Sequence, residues 1–260
     1  MPFSDYRTAL VTGASSGIGA AVVERFCREG LEVHAVARSC EPLERLAALT
    51  GCTPHVLDVT DRAGLRRLAD EVEVDILVNN AGVDRPKKFL QADEEDIDLL
   101  VDVNIRAVLH LCRLFVPDMV ARDCGHVINI SSIAGNYPFG GNSTYHATKA
   151  AVAMLSNQLR IDCFGRRVRV TEICPGRVAT DIFAHVHGNS PEIHQRFIDG
   201  FELPEAKDVA DAIAFAVAAP ISMNIGHMEI TPTLQVMGGL STARPGEHVG
   251  HAALGSELPA

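Results

Sequence analysis

Tyr145 and Lys149 stand four residues apart in a stretch with helical periodicity, so a phenol and an ammonium share one helix face. An unperturbed phenol with a pKa of about 10 is only about 0.1% ionised at pH 7, so reaching the phenolate costs roughly 4 kcal/mol. A cation at ~4 Å contributes on the order of 4 kcal/mol at an effective dielectric of about 20. The pair is therefore expected to take a proton from an alcohol, or give one to a carbonyl oxygen. Ser132, at the exit of an apolar run upstream, is expected to hydrogen-bond that oxygen where charge develops, with Ser131 as the rival hydroxyl.

A second cluster lies near the N-terminus, where Thr12-Gly13-Ala14-Ser15-Ser16-Gly17-Ile18-Gly19 follows the first apolar run and opens a helix. Glycines there permit a tight turn and a close backbone approach, and a helix N-terminus favours the charge of a pyrophosphate. Dinucleotide binding is the expectation.

Short Val- and Ile-rich runs alternate with amphipathic stretches, the pattern of β-α units feeding a parallel sheet. Strands are expected at Thr8–Val11, Glu32–Ala37, Thr53–Leu57, Ile76–Val78, His126–Ile130, Arg169–Ile173 and His227–Ile230. Helices are expected at Gly17–Glu29, Pro42–Leu49, Arg62–Val72, Asp93–Val120, Ser143–Phe164 and Ala206–Ala218. The fold class is α/β: a single Rossmann-type doubly wound domain over residues 1–260, with a seven-stranded, mostly parallel sheet and helices on both faces. Residues 181–203 read as a substrate lid, and 238–260 as a tail that is either frayed or held by a neighbouring subunit.

At the end of the second strand an acid would accept hydrogen bonds from a free ribose 2′-hydroxyl, whereas a cation would accommodate a 2′-phosphate. Ala37 followed by Arg38 points to NADP(H) rather than NAD(H).

The order T-G-x-x-x-G-x-G, Asn79-Asn80-Ala81-Gly82, Ser132, Tyr145-x-x-x-Lys149 and Pro175-Gly176 resembles the short-chain dehydrogenase/reductase family over nearly the whole chain. The resemblance implies an oxidoreductase acting on CH-OH groups, with Asn104, Ser132, Tyr145 and Lys149 catalytic and Asn104 holding water in a relay from Lys149. It implies cofactor contacts from Gly13, Ser15, Ser16, Gly17, Ile18, Gly19, Arg38, Asp58, Val59, Asn80, Ala81, Gly82, Pro175, Gly176, Val178 and Thr180, besides Tyr145 and Lys149. Within the family, the text from Asn129 to Pro138, from Gly140 to Tyr145 and from Asn224 to Thr233 is similar to bacterial NADP-dependent 3-hydroxy acid dehydrogenases, which oxidise serine and allo-threonine. Sulfoacetaldehyde reductases and other aldehyde reductases look similar over the same stretches. A small, anionic hydroxy acid, aldehyde or keto compound is the expected substrate, with Ser132, Asn142, Arg177 and Arg196 as its candidate contacts.

The formal charge of -10, from 23 Lys+Arg against 33 Asp+Glu, leaves no basic stripe for nucleic acid. No apolar run is long enough to span a bilayer, and Met1–Thr8 carries no apolar segment behind positive charges, so a cytoplasmic protein without membrane partners is expected. The cysteines at 27, 40, 52, 112, 124, 163 and 174 form no C-x-x-C pair, and His185 with His187 lack a third ligand, so no metal is expected. The family's habit implies a homodimer or homotetramer through the long helices Asp93–Val120 and Ser143–Phe164, on which the apolar Val152, Leu155 and Leu159 suit an interface and a buried core helix equally.

Overall fold

The computed structural model describes residues 3, 5–180, 192, 195 and 198–247. Seven strands, β1 (Thr8–Thr12), β2 (Glu32–Ala37), β3 (Thr53–Val56), β4 (Ile76–Asn79), β5 (Gly125–Ile130), β6 (Val168–Pro175) and β7 (His227–Ile230), form one sheet in the order 3-2-1-4-5-6-7. Every pairing is parallel. The central strands β1, β4, β5 and β6 are buried along almost their whole length, which explains their near-continuous apolar runs.

Among the described residues, seven α-helices connect the strands: α1 (Gly17–Arg28), α2 (Cys40–Thr50), α3 (Arg62–Glu71), α4 (Glu94–Val101), α5 (Ala107–Arg122), α6 (Ser143–Asp162) and α7 (Ala206–Ala218). One apolar layer joins Val22, Val23 and Phe26 of α1, Leu43 and Leu46 of α2 and Val209, Ile213 and Val217 of α7 to the strands. Another joins Leu65 and Leu68 of α3, Leu111 and Phe115 of α5 and Val152 of α6 to the opposite sheet face. The chain reverses its winding between β1 and β4, which opens a crevice at their carboxyl ends. Asp61 caps α3 by accepting from Ala63 N and Gly64 N at 3.1 and 3.0 Å.

Two sequence expectations change, and of the two readings of Val152, Leu155 and Leu159 the core is the one observed. The helix expected at Asp93–Val120 is interrupted by a π-helical turn at Asp102–Arg106, which contains Asn104. The tail does not fray from Gly238: Val236 N donates to Ser241 O at 2.8 Å and Ala243 N to Leu234 O at 2.9 Å, so residues up to 247 fold back on their own chain. Val152 is buried in the core and Leu155 and Leu159 pack against it, whereas Met154, Ile161 and Phe164 are the exposed apolar residues of this stretch. The stretch 181–191 of the expected lid, Arg196, His185, His187 and residues 248–260 lie outside the described residues.

Candidate active site

The crevice holds a cleft of about 710 Å³ running from Arg38, Ser39 and Arg45 at one end to Ser132, Tyr145 and Lys149 at the other. Its lining includes every cofactor contact expected from the sequence except Gly19, which lies one layer beneath.

Gly19 earns its place by close approach: a Cβ there would overlap the carbonyl oxygen of Gly13 and the Asn80 amide. Gly13 has φ +65°, and a Cβ on it would come within 2.8 Å of Ala81 Cα. Asn80 fastens this loop to β4, its Nδ2 donating to Thr12 O at 3.0 Å and Gly13 O at 3.2 Å. Thr12 Oγ1 accepts from Asn80 N and Ala81 N, both at 3.1 Å. Ser16, the N-cap of α1, makes no side-chain cap bond, and no acid occupies the first turn, so the first N–H groups of α1 remain available to an anion. The residues fit a pyrophosphate. Because the obstruction at Gly19 is backbone, Gly19→Ala should abolish saturable NADPH binding in a fluorescence titration; a dissociation constant within about twofold of the parent would contradict the cradle, twofold being well under 1 kcal/mol.

At the end of the cleft away from Tyr145, Arg38 is largely exposed and lies 3.8 Å from Asp58 Oδ2. Asp58 Oδ1 accepts from Thr60 N and Thr60 Oγ1, both at 2.8 Å, which fixes the carboxylate at the rim, and Val59 is buried beside it. Sequence reasoning missed Ser39 and Arg45. Ser39 is the N-cap of α2 and Arg45, which pairs with Glu41 of the first turn, projects from its second turn, so both line the same end of the cleft as Arg38.

At the chemical end, Lys149 is buried, and its Nζ donates to Ile130 O at 2.9 Å and stands 5.6 Å from the centre of the Tyr145 ring. Burial lowers the Lys149 pKa to about 8, against an opposing pull from Asp84. Burial raises Tyr145 well above the usual phenol value; the Asp84 charge adds to this, and a hydrogen bond with Ser132 opposes it. The protein alone thus holds the phenol neutral, chiefly by burying it. The two serines separate cleanly. Ser131 Oγ is taken by Glu172 Oε1 at 2.5 Å in the interior, while Ser132 faces the phenol and accepts from Ala134 N at 3.2 Å.

Asn104 explains the π-turn. Its amide pairs with both backbone groups of Val83 at 2.9 Å, like a strand neighbour, and its Nδ2 reaches Thr148 Oγ1 at 3.2 Å. Bulging the helix brings the side chain to the loop after Gly82, where a Cβ on Gly82 would lie 3.4 Å from Asn104 Oδ1 and 3.6 Å from Lys149 Nζ.

Asp84 also lines the cleft and was not read from the sequence, since nothing in its type or spacing marks it. Asn142 holds it, donating from Nδ2 to Asp84 Oδ1 at 2.7 Å. Arg177 is placed differently from the substrate contact expected: it lies outside the cleft lining, 5.1 Å from the centre of the Phe201 ring, on which Arg244 also sits at 4.9 Å. The nearby Gln235, likewise missed, accepts from Arg177 N at 2.9 Å and packs so closely on Gly176 that a Cβ there would overlap it.

Among the described residues, no helix is long and apolar enough to cross a membrane. Comparison with known proteins adds the following. Residues 7–190 match the family described as short chain dehydrogenase. The chain is 36% identical over 246 residues to the NADP-dependent 3-hydroxy acid dehydrogenase of Escherichia coli, covering 90% of this chain and 98% of that one. Its structure resembles the closed form of serine dehydrogenase complexed with NADP+ at a TM-score of 0.85 and 34% identity, over 91% of this chain and 99% of that one. It also resembles a metagenomic short-chain oxidoreductase in complex with NADP, with a TM-score of 0.75 and 28% identity over 90% of this chain and 100% of that one.

Proposed function

This chain belongs to the short-chain dehydrogenase/reductase family, and from that premise we propose that it is an NADP(H)-linked dehydrogenase of small 3-hydroxy acids, with Tyr145 as general acid and base. The observation that carries the reading is the single cleft that runs from Arg38, Ser39 and Arg45 to Ser132, Tyr145 and Lys149. When bound, NADP(H) supplies or accepts the hydride. Gly13 and the N-terminus of α1 hold its pyrophosphate, and Arg38, Ser39 and Arg45 hold its 2′-phosphate.

In oxidation Tyr145 removes the hydroxyl proton, and in reduction it returns a proton to the carbonyl oxygen. Ser132 donates to that oxygen as negative charge grows on it. Lys149 stabilises the phenolate form, and Asn104 acts as a positioning residue that fixes the Gly82–Val83 turn beside Lys149. NADPH oxidation with the keto or semialdehyde partner of a short 3-hydroxy acid tests this reading.

Asp84 refines the substrate. A carboxylate in the lining disfavours a purely anionic compound and suits one that carries an ammonium beside its carboxylate, so β-hydroxy-α-amino acids such as serine are favoured over simple hydroxy acids. Aldehyde and sulfonate substrates remain the competing class. We propose that self-association, as a homodimer or homotetramer, uses the exposed Leu109 of α5 and Met154 and Ile161 of α6.

Asp84→Asn removes the charge that raises both Tyr145 and Lys149. Oxidation requires the ionised phenol, so its rate climbs with pH through the Tyr145 pKa; removing Asp84 lowers that pKa. The ascending limb of kcat/KM should therefore move to lower pH, and the preference for serine over 3-hydroxypropionate should fall by about tenfold, as expected for one charge-assisted contact of ~1.5 kcal/mol. An unmoved limb with unchanged preference would remove Asp84 from the site.

A further inference from the structure

On the outer edge of the sheet, β6 and β7 pair in register, Glu172 opposite His227 and Cys174 opposite Glu229. Alternate residues of a strand share a face, so these four side chains gather on one side of the edge. Ligand atoms of Cys174, His227 and Glu229 all lie within 4.8 Å of one another. We propose that Cys174, His227 and Glu229 form a site for a divalent zinc-type ion.

The surroundings are those a metal site needs. Glu172 is 4% exposed, and its Oε2 lies 2.9 Å from His227 Nδ1, while its Oε1 accepts from Ser131 Oγ. A ligating imidazole usually carries a carboxylate or carbonyl on its other nitrogen, and Glu172 can fill that role at Nδ1 when Nε2 takes the ion. Asn136 Nδ2 donates to Cys174 Sγ at 3.2 Å, a contact that strengthens when the sulfur is a thiolate. Sulfur, imidazole and carboxylate together select zinc over magnesium or calcium.

Zinc bonds of about 2.0–2.3 Å require the ligand atoms to draw in by roughly 1 Å, and the exposed side chains of His227 and Glu229 can turn to do so. On ligation Cys174 loses its proton to solvent, so binding should release about one proton per ion at neutral pH. None of the three ligands lines the cleft, although Cys174 adjoins Pro175, which does, and zinc binding does not depend on which substrate the cleft takes.

The test uses the full chain, reduced and stripped with a chelator, titrated with Zn²⁺ against a chromophoric competitor and, in parallel, with Co²⁺. One equivalent of Zn²⁺ should bind, and Co²⁺ should give a near-ultraviolet thiolate charge-transfer band. Cys174→Ser should abolish the band, and His227→Gln, an exposed position, should weaken Zn²⁺ at least ~10-fold while leaving NADPH binding as a check of folding. Absence of stoichiometric binding would overturn the proposal. So would a thiolate band that survives Cys174→Ser, or affinity unmoved by His227→Gln, since either would place the ion at other cysteines or histidines.

Discussion

Tyr145→Phe should lower kcat for alcohol oxidation by about 10³-fold, within the range of 10²–10⁴ ascribed to a positioned general acid or base. The substitution removes one oxygen and leaves the ring that packs beneath the Lys149 ammonium 5.6 Å from its centre. NADPH affinity should stay within about twofold, because the cradle of Gly13, Asn80 and Thr12 and the cluster at Arg38 are elsewhere. A loss in kcat with little change in KM is the mark of an interaction made in the transition state. Steady-state kinetics with a cofactor-binding titration check both parts, and a fall in cofactor affinity equal to the fall in rate would mean that the tyrosine acts only in binding.

Arg38→Ala should cost NADP+ roughly 10- to 100-fold in kcat/KM and leave NAD+ nearly unchanged, since one charge-assisted contact is worth about 1.5–3 kcal/mol. The side chain is largely exposed and its nearest acid, Asp58, is 3.8 Å away, so little is disturbed in the free protein by removing it. Arg45 and the N-terminus of α2 line the same end and should retain part of the preference. Adding Ala37→Asp should complete the reversal by providing an acceptor for a free 2′-hydroxyl. Initial rates with both nicotinamides decide this; an equal loss with each would show that Arg38 does not read the 2′-phosphate.

The parts of the site that were legible in the sequence are those whose chemistry forces a residue type at a fixed spacing. Gly13 and Gly19 are required by backbone approach, Tyr145 and Lys149 by the pitch of one helix, and Ala37 with Arg38 by the strand end they occupy. The strand positions were legible too, because burial on both faces leaves unbroken Val and Ile runs. Asp84 and Gln235 were not, since their positions are set by tertiary contacts to Asn142 and Arg177 that leave no period or motif. The π-turn at Asn104 was hidden for the same reason: its cause is a pair of hydrogen bonds to Val83, 21 residues earlier, and a helical pattern reads through it. Ser131 and Ser132 are neighbours of identical type, and the preference for Ser132 that the family's spacing implied has a physical basis in the buried Glu172 that takes Ser131.

The central claim is that one cleft couples NADP(H) to proton transfer at a 3-hydroxy acid, and NADP+ reduction followed by absorbance with serine and with 3-hydroxypropionate tests it most directly. The account predicts saturable NADPH formation with serine favoured, at least ~10-fold slower with NAD+ at equal concentration, one charge-assisted contact being worth that much. Saturable NADP+ binding without turnover of either hydroxy acid, or faster turnover with NAD+, would contradict it.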